Sequence, residues 1–171
     1  MWFCEDADHR FDLPDEEAGT CYTATTEVGC FIEVFLRIAG KGLDESEIRA
    51  RKLATLSVTS EQQIVDLLSR ANYGLRNSSP EILNEIDPPY PRSQPFAARI
   101  YTERLNGISW SSTRDPQNSI NIAIFAQPGG ADTAKIFDIS DERDVPQGLM
   151  YQVAEEFHVP LKRSAREYPV P

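Results

Sequence analysis

The strongest helical pattern in the chain lies in residues 25–42, where apolar side chains recur every three or four positions. Thr25 or Thr26 supplies a capping oxygen in front of this pattern, and Gly40 and Gly42 follow it. The predicted core-facing positions are Val28, Phe31, Ile32, Phe35 and Ala39. This spacing predicts one amphipathic helix that lies against the core.

Four other segments carry helix signals of different kinds. Residues 43–48 contain Asp44, which can cap a helix with a glutamate three residues later. Residues 59–71 contain Ser60 with Gln63 three residues later, which is the same capping spacing, and they are predicted to be partly helical. Residues 96–107 predict a helix that closes near its final glycine, and residues 148–159 predict the last helix of the chain.

Short runs rich in β-branched and aromatic residues predict strands. These runs are residues 21–26, 107–111, 120–125 and 134–140. Residues 52–58 suit either a strand or the end of a helix, and periodicity favours neither. The mixture predicts a single domain, residues 1–171, of the α/β (α+β mixed) class with a central sheet flanked by helices. Residues 160–171 are predicted to form a polar tail.

The charge balance argues against partners that are anionic polymers. The chain carries 17 basic and 27 acidic residues, a formal net charge of −10, and it has no basic cluster. A nucleic-acid binder needs a cationic surface, so we predict no direct nucleic-acid partner. No apolar run approaches the roughly 18 residues that cross a bilayer, and the N-terminus lacks the layout of a secretory signal. With three cysteines in no metal-binding spacing, these features predict a cytoplasmic protein without a membrane partner or a metal site.

Four side chains are candidates for chemistry, and each also has a purely structural interpretation. Arg10 suits an exposed arginine among acidic residues, and Tyr22 suits an aromatic residue at the edge of the core. Glu33 lies off the apolar stripe of its helix and can pair with Arg37 four residues later, yet apolar neighbours surround it. Ser112 suits a turn residue that bonds its own backbone, and it lacks the glycine-flanked elbow of hydrolase nucleophiles.

The order and spacing of these four residues resemble the RES domain family, whose members are toxins of bacterial toxin–antitoxin systems and are named for an arginine, a glutamate and a serine. The resemblance rests on "RFDLPDEEAGTCYTATTEVGCFIE" (10–33), "SQPFA" (93–97) and "NGISWSSTRDPQNSINIAIF" (106–125). The family pattern places an arginine before a phenylalanine, a tyrosine in a strand and a glutamate in the following helix. A glycine–isoleucine pair, an aromatic residue and a serine come much later, here between Gly107 and Ser112.

The resemblance implies an enzyme that consumes NAD and releases nicotinamide, with a fold similar to that of ADP-ribosyltransferases. NAD is then a substrate, inorganic phosphate or water is the acceptor, and no cofactor is expected. A cognate antitoxin that occludes the cleft is the expected partner. Arg10 would hold the pyrophosphate, Tyr22 would stack on the nicotinamide ring, and Ser112 would orient the carboxamide or a ribose hydroxyl. Glu33 would stabilise the positive charge that develops on the ribose.

Two alternatives stay open: transfer of ADP-ribose onto a protein, and a catalytically inactive domain that binds an antitoxin. Members of the family usually carry another strand and another arginine upstream of the first motif. Here nine residues precede Arg10, and none of them is lysine or arginine. An absent N-terminal strand and a looser hold on the pyrophosphate are therefore expected. The sequence leaves open the role of Arg114 in "SWSSTRD", the choice between phosphate and water, the oligomeric state and the identity of the antitoxin.

Overall fold

The computed structural model describes residues 8–13, 18–36, 40–69, 71, 80–85, 88–115, 117–126 and 136–162. Its strands are β1 (Gly19–Ala24), β2 (Leu43–Asp44), β3 (Lys52–Val58), β4 (Ile64–Asp66), β5 (Gly107–Ser111), β6 (Ile120–Ala126), β7 (Phe137–Asp144) and β8 (Leu161–Lys162). Its helices are α1 (Glu27–Phe35), α2 (Glu45–Arg49), α3 (Pro80–Leu83), α4 (Ser93–Thr102) and α5 (Gln147–Glu156). The predicted mixed α/β class is confirmed.

The central sheet has four strands in the order β1, β6, β5 and β4. Strand β6 pairs antiparallel with β1 and β5, and β4 pairs parallel with β5. Both faces of β6 are covered, because Ala123 and Phe125 belong to one buried cluster while Ile124 and Ala126 belong to another. A strand buried on both faces reads as a nearly continuous apolar run, which explains the sequence "INIAIFA". Strands β2 and β8 form a parallel pair, and β3 and β7 form an antiparallel pair.

Helix α1 uses the predicted apolar stripe to join the core. Phe31 and Ile32 are buried with residues of α5 in one cluster, and Val28 and Phe35 pack against the same cluster. Ala39, the last predicted position of the stripe, lies outside the described residues. The 3.6-residue period of the sequence therefore identified the face of α1 that meets α5.

The two ends of α1 differ in how well they follow the prediction. Thr26 is the cap, since its Oγ1 accepts a hydrogen bond from Gly29 N at 3.0 Å. The helix ends at Phe35, so the predicted end at the two later glycines is wrong. Arg114 Nε donates to the carbonyl of Leu36 at 3.2 Å. A distant side chain thus satisfies one of the carbonyls that the helix end leaves without a partner.

The prediction of a partial helix is wrong for residues 59–69. Ile64–Asp66 form β4, which lies in register beside the start of β5. From this extended chain Val65 and Leu67 both reach the main core cluster. Pairing with β5 and burial of these two side chains outweigh the local capping pattern, which is a weak preference that tertiary contacts override.

Two other segments can be compared with the sequence pattern. Residues 52–58, which suited a strand or a helix end, form β3. Helix α4 ends at Thr102 and does not reach Gly107, because Arg104 turns the chain with a left-handed φ of 63°. Gly107 instead begins β5, where an added Cβ would lie 2.2 Å from the carbonyl oxygen of Ala123. Only glycine permits this approach of β5 to β6.

The predicted polar tail begins with a paired segment. Leu161–Lys162 form β8 against β2, and residues 163–171 lie outside the described residues. Over the described ranges, no helix combines the length and the apolar character needed to cross a membrane.

Candidate active site

A cleft of about 370 Å³ lies beside α1 and the central sheet. Its volume falls in the range of small-molecule sites, roughly 300 to 1,000 Å³. The lining side chains include Arg10, Tyr22, Glu33, Arg51, Trp110, Arg114 and Asn121. Three of the four predicted residues therefore line one cleft, and the fourth, Ser112, contacts Glu33 directly.

A glycine allows α1 to lie close to the sheet beside this cleft. A Cβ added to Gly29 would lie 1.8 Å from Ser119 Oγ and 2.5 Å from Ser119 Cβ. Glu33 follows Gly29 by four residues, so both lie on the same face of the helix. The close approach at Gly29 therefore brings the Glu33 side chain within reach of the residues around β5 and β6.

Three donors hold the carboxylate of Glu33. Its Oε1 accepts from Ser112 Oγ at 2.7 Å and from Asn121 Nδ2 at 3.0 Å. Its Oε2 accepts from Arg114 Nη1 at 3.0 Å. The side chain is only 28% exposed, so these bonds act in a partly dry setting where charge-assisted bonds are strong. The carboxylate is fixed in orientation and carries its charge into the cleft.

Ser112 explains the polar centre of "SWSSTRD". It is buried, and its hydroxyl donates to Glu33 while it accepts from the backbone N–H groups of Arg114 at 3.2 Å and Asp115 at 3.1 Å. Its backbone N–H donates to the carbonyl of Ser119 at 3.0 Å. The serine is thus both a turn residue and a support for Glu33, so its structural and functional interpretations apply together.

Arg114 joins Glu33 to the end of α1. It pairs with the carboxylate through Nη1 and with the Leu36 carbonyl through Nε. Arg37, the neighbour that the sequence offered as a partner for Glu33, lies outside the described residues. A guanidinium with two fixed partners along α1 restricts the carboxylate more than a flexible pair on the surface of one helix does.

Arg10 lines the cleft and holds a buried, unused donor. Its Nη1 is buried without a hydrogen-bond partner, and its guanidinium carbon lies 5.8 Å from the centre of the Phe11 ring. Burial lowers the pKa of Arg10, while the negative charge of Glu33 acts in the opposite direction. A buried donor without a partner is costly, so this nitrogen suits an anionic ligand atom.

Tyr22 lines the cleft with its ring and uses its hydroxyl elsewhere. The hydroxyl accepts from Phe11 N at 2.8 Å and donates to Asp12 Oδ1 at 2.9 Å. The ring meets His9 edge-on at a centroid distance of 5.4 Å and Trp110 at 6.4 Å. Burial raises the pKa of Tyr22 well above its ordinary value, so the phenol stays neutral.

The charged residues that line the cleft leave a local positive excess. Glu33 pairs with Arg114, and Glu47 pairs with Lys41 at 3.1 Å. Arg51, an exposed residue of the cleft wall, makes no side-chain hydrogen bond or ion pair to any described residue. Together with the unused nitrogen of Arg10 it offers two cationic groups to a ligand. This excess lies in a protein whose formal net charge is −10.

The family model for the RES domain matches residues 4–146 of the 171-residue chain. The chain belongs to the RES domain family. The matched span contains Arg10, Tyr22, Glu33 and Ser112. RES domains are associated with NAD-processing toxins that are paired with antitoxins. No curated protein and no solved structure matches the chain.

The site of this RES domain contains residues to which the sequence alone assigns no role. The sequence leaves the role of Arg114 open and places Asn121 only in a strand. A signal existed for Asn121, since it is a polar residue at an inward position of an otherwise apolar strand. Arg51 carried no signal, because it enters the cleft wall from a segment remote in sequence from every motif.

Proposed function

We propose that this RES domain cleaves the bond between nicotinamide and ribose in NAD. The observation that supports the proposal is the carboxylate of Glu33, held by Ser112, Asn121 and Arg114 at the wall of a cleft of about 370 Å³. A carboxylate fixed before the reaction needs no reorganisation when positive charge develops beside it, which is an efficient form of electrostatic catalysis.

The bond that breaks joins C1′ of the ribose to the ring nitrogen of the pyridinium. Its electron pair leaves with the nitrogen, so nicotinamide departs neutral and needs no proton from the protein. Positive charge then develops on C1′ and the ring oxygen, and Glu33 stabilises it as carboxylates do in glycoside hydrolysis. Phosphate or water completes the reaction by bonding to C1′, and water gives up a proton as it does so.

The cations of the cleft support a substrate with a diphosphate. Arg10 offers its buried Nη1, and Arg51 offers a guanidinium without an internal partner among the described residues. Arginine binds phosphate oxygens through a planar set of donors. The two groups fit the two negative charges of the diphosphate, while the pair of Glu33 and Arg114 lies with the reacting ribose.

The toxin setting supplies the proposed partner. A cognate antitoxin that covers the cleft would prevent NAD from reaching Glu33, and a free toxin would deplete NAD. Gel filtration of the two proteins together, followed by the NAD assay on the complex, tests this part of the proposal. A complex that forms without loss of NAD cleavage would contradict occlusion of the cleft.

The test of the activity is nicotinamide release from NAD by the purified protein, with and without inorganic phosphate. Glu33→Gln should lower the rate by about 100- to 1,000-fold, the usual effect of removing a charge-stabilising group. Glu27→Gln is the matched control, because Glu27 lies on the same helix and pairs with Arg143 outside the cleft. It should retain the rate of the unaltered protein.

The outcomes separate the possible reactions. Release that requires phosphate indicates phosphorolysis, and release without it indicates hydrolysis. Label from NAD that stays on a macromolecule indicates ADP-ribosyl transfer. Absence of release under all conditions, or a normal rate in Glu33→Gln, contradicts the proposed function.

A further inference from the structure

We propose that Asp12 and the hydroxyl of Tyr22 form a positioning pair that sets the backbone around Arg10 and so directs its guanidinium into the cleft. The inference rests on the proposed function where it concerns NAD, and on geometry alone where it concerns Arg10. The Tyr22 hydroxyl then has a structural role that is separate from any contact of the Tyr22 ring with a substrate.

The carboxylate of Asp12 closes a tight turn around Arg10. Asp12 Oδ2 accepts from His9 N at 2.7 Å, and Asp12 N donates to the His9 carbonyl at 3.2 Å. The residues on both sides of Arg10 are therefore bonded to each other. Asp12 is only 1% exposed, so water cannot replace these bonds.

The Tyr22 hydroxyl ties this turn to strand β1. It donates to Asp12 Oδ1 at 2.9 Å and accepts from Phe11 N at 2.8 Å. One oxygen thus binds the backbone directly after Arg10 and the carboxylate that closes the turn. Because Tyr22 lies in a strand paired along its whole length with β6, the reference point is rigid.

Two further bonds, one from β1 and one from α4, fix the same segment. Thr20 Oγ1, also from β1, donates to the Phe11 carbonyl at 3.2 Å. Gln94 Nε2, from α4, donates to the His9 carbonyl at 3.2 Å. Every one of these bonds is made by a neighbour of Arg10, while Arg10 Nη1 itself has no partner. The network therefore holds the guanidinium ready for a ligand without using this donor.

The experiment compares Asp12→Asn and Tyr22→Phe with Ser109→Ala as a control. Asparagine retains one of the two acceptor positions of the carboxylate, and phenylalanine retains the ring without the hydroxyl. Ser109 Oγ also donates to a carboxylate, Asp66 Oδ1 at 3.2 Å, and is buried outside the cleft. Its loss reproduces the destabilisation without touching the neighbours of Arg10.

We expect Asp12→Asn and Tyr22→Phe each to raise KM for NAD by about 3- to 30-fold, the loss typical of one or two bonds that orient a charged group, with kcat changed less than about twofold. The double variant should be little worse than the more affected single one, since both changes break one network. Ser109→Ala should keep KM unchanged at a temperature where circular dichroism shows all variants folded.

A second measurement does not depend on catalysis. In NMR spectra the side-chain Nε–Hε resonance of Arg10, assigned through its loss in Arg10→Lys, should shift or broaden in Asp12→Asn and Tyr22→Phe but not in Ser109→Ala. An unchanged resonance in both variants overturns the positioning role, whether or not NAD is cleaved. A KM that rises equally in Ser109→Ala overturns it as well, because general loosening then explains the effect.

Discussion

Replacing Gly29 with alanine tests whether the close approach of α1 sets the position of Glu33. The new Cβ would lie 1.8 Å from Ser119 Oγ, and rotating the hydroxyl cannot help, because Ser119 Cβ would lie at 2.5 Å. Ordinary contact begins near 3.4 Å. The helix and the turn must therefore separate by about 1 Å or more at this point.

The magnitude follows from two opposed terms. Alanine favours a helix interior over glycine by about 1 kcal/mol. Overpacking of this kind costs about 1–3 kcal/mol, so Gly29→Ala should lower the free energy of unfolding modestly, by about 0–2 kcal/mol. The rate of nicotinamide release should fall by about 100-fold, because misplacement of a reacting group by about 1 Å has an effect of this size. Glu33, on the same helix face, receives the displacement.

The assay combines urea unfolding with nicotinamide release in Gly29→Ala, Ser119→Gly and the double variant. Ser119→Gly removes the two atoms that would lie closest to the new Cβ and leaves Thr26 Oγ1 at 2.9 Å, and the buried hydroxyl of Ser119 has no hydrogen-bond partner to lose. The added loop flexibility costs only about 0.5–1 kcal/mol. The double variant should therefore recover most of the activity lost in Gly29→Ala. Full activity in Gly29→Ala alone, or no recovery in the double variant, refutes this account of how Glu33 is placed.

Three further predictions concern single groups. Arg51→Ala should raise KM for NAD by about tenfold and leave KM for nicotinamide riboside unchanged, because the riboside lacks the diphosphate. Both constants are measured from nicotinamide release, and an equal rise of KM for the two substrates contradicts the diphosphate role. Burial raises the pKa of Cys21 to about 12. In a Cys4→Ser background, mass spectrometry should therefore find Cys21 alkylated by iodoacetamide at pH 8 only after denaturation, and equal modification of the folded protein contradicts this. Burial raises the pKa of Asp12, so the folded state binds its proton more readily than the unfolded state. The contribution of Asp12 to the free energy of unfolding should fall as pH rises from the pKa of the unfolded state through the raised pKa of the folded state. Urea titrations at several pH values should show a smaller fall in Asp12→Asn than in the unaltered protein. Identical pH profiles of the two proteins contradict this prediction.

The sequence predicted those elements whose pattern is local. Helix α1 and strands β5 and β6 follow from periodicity, a cap and β-branched residues, all within a few positions of each other. The helix prediction for residues 59–69 is wrong because a capping pattern is also local, whereas the pairing of β4 with β5 is not. Whether a short segment with a helix signal forms a strand depends on the strand with which it pairs. The sequence alone does not identify that partner strand.

In the candidate site, too, the sequence predicts residue types and local features but not the contacts between elements. Residue types and their order indicated Glu33 and Ser112, yet the bond between them joins positions 79 residues apart. Helical spacing offers the neighbour Arg37 as a partner for Glu33, while the described partner Arg114 lies 81 residues away. Helical spacing reveals contacts within one element, and contacts between elements require the fold itself.

The separation of these partners also sets the time at which the site forms during synthesis. A growing chain that has passed Glu33 already contains Arg10 and Tyr22, but none of the described donors to the carboxylate has been made. The last of them, Asn121, lies 88 residues after Glu33. Because domains fold as units once their sequence is available, the assembled site is a late product of translation. The cleft is therefore complete only after Asn121 has left the ribosome. A partner protein can already be present in the cell when the cleft forms.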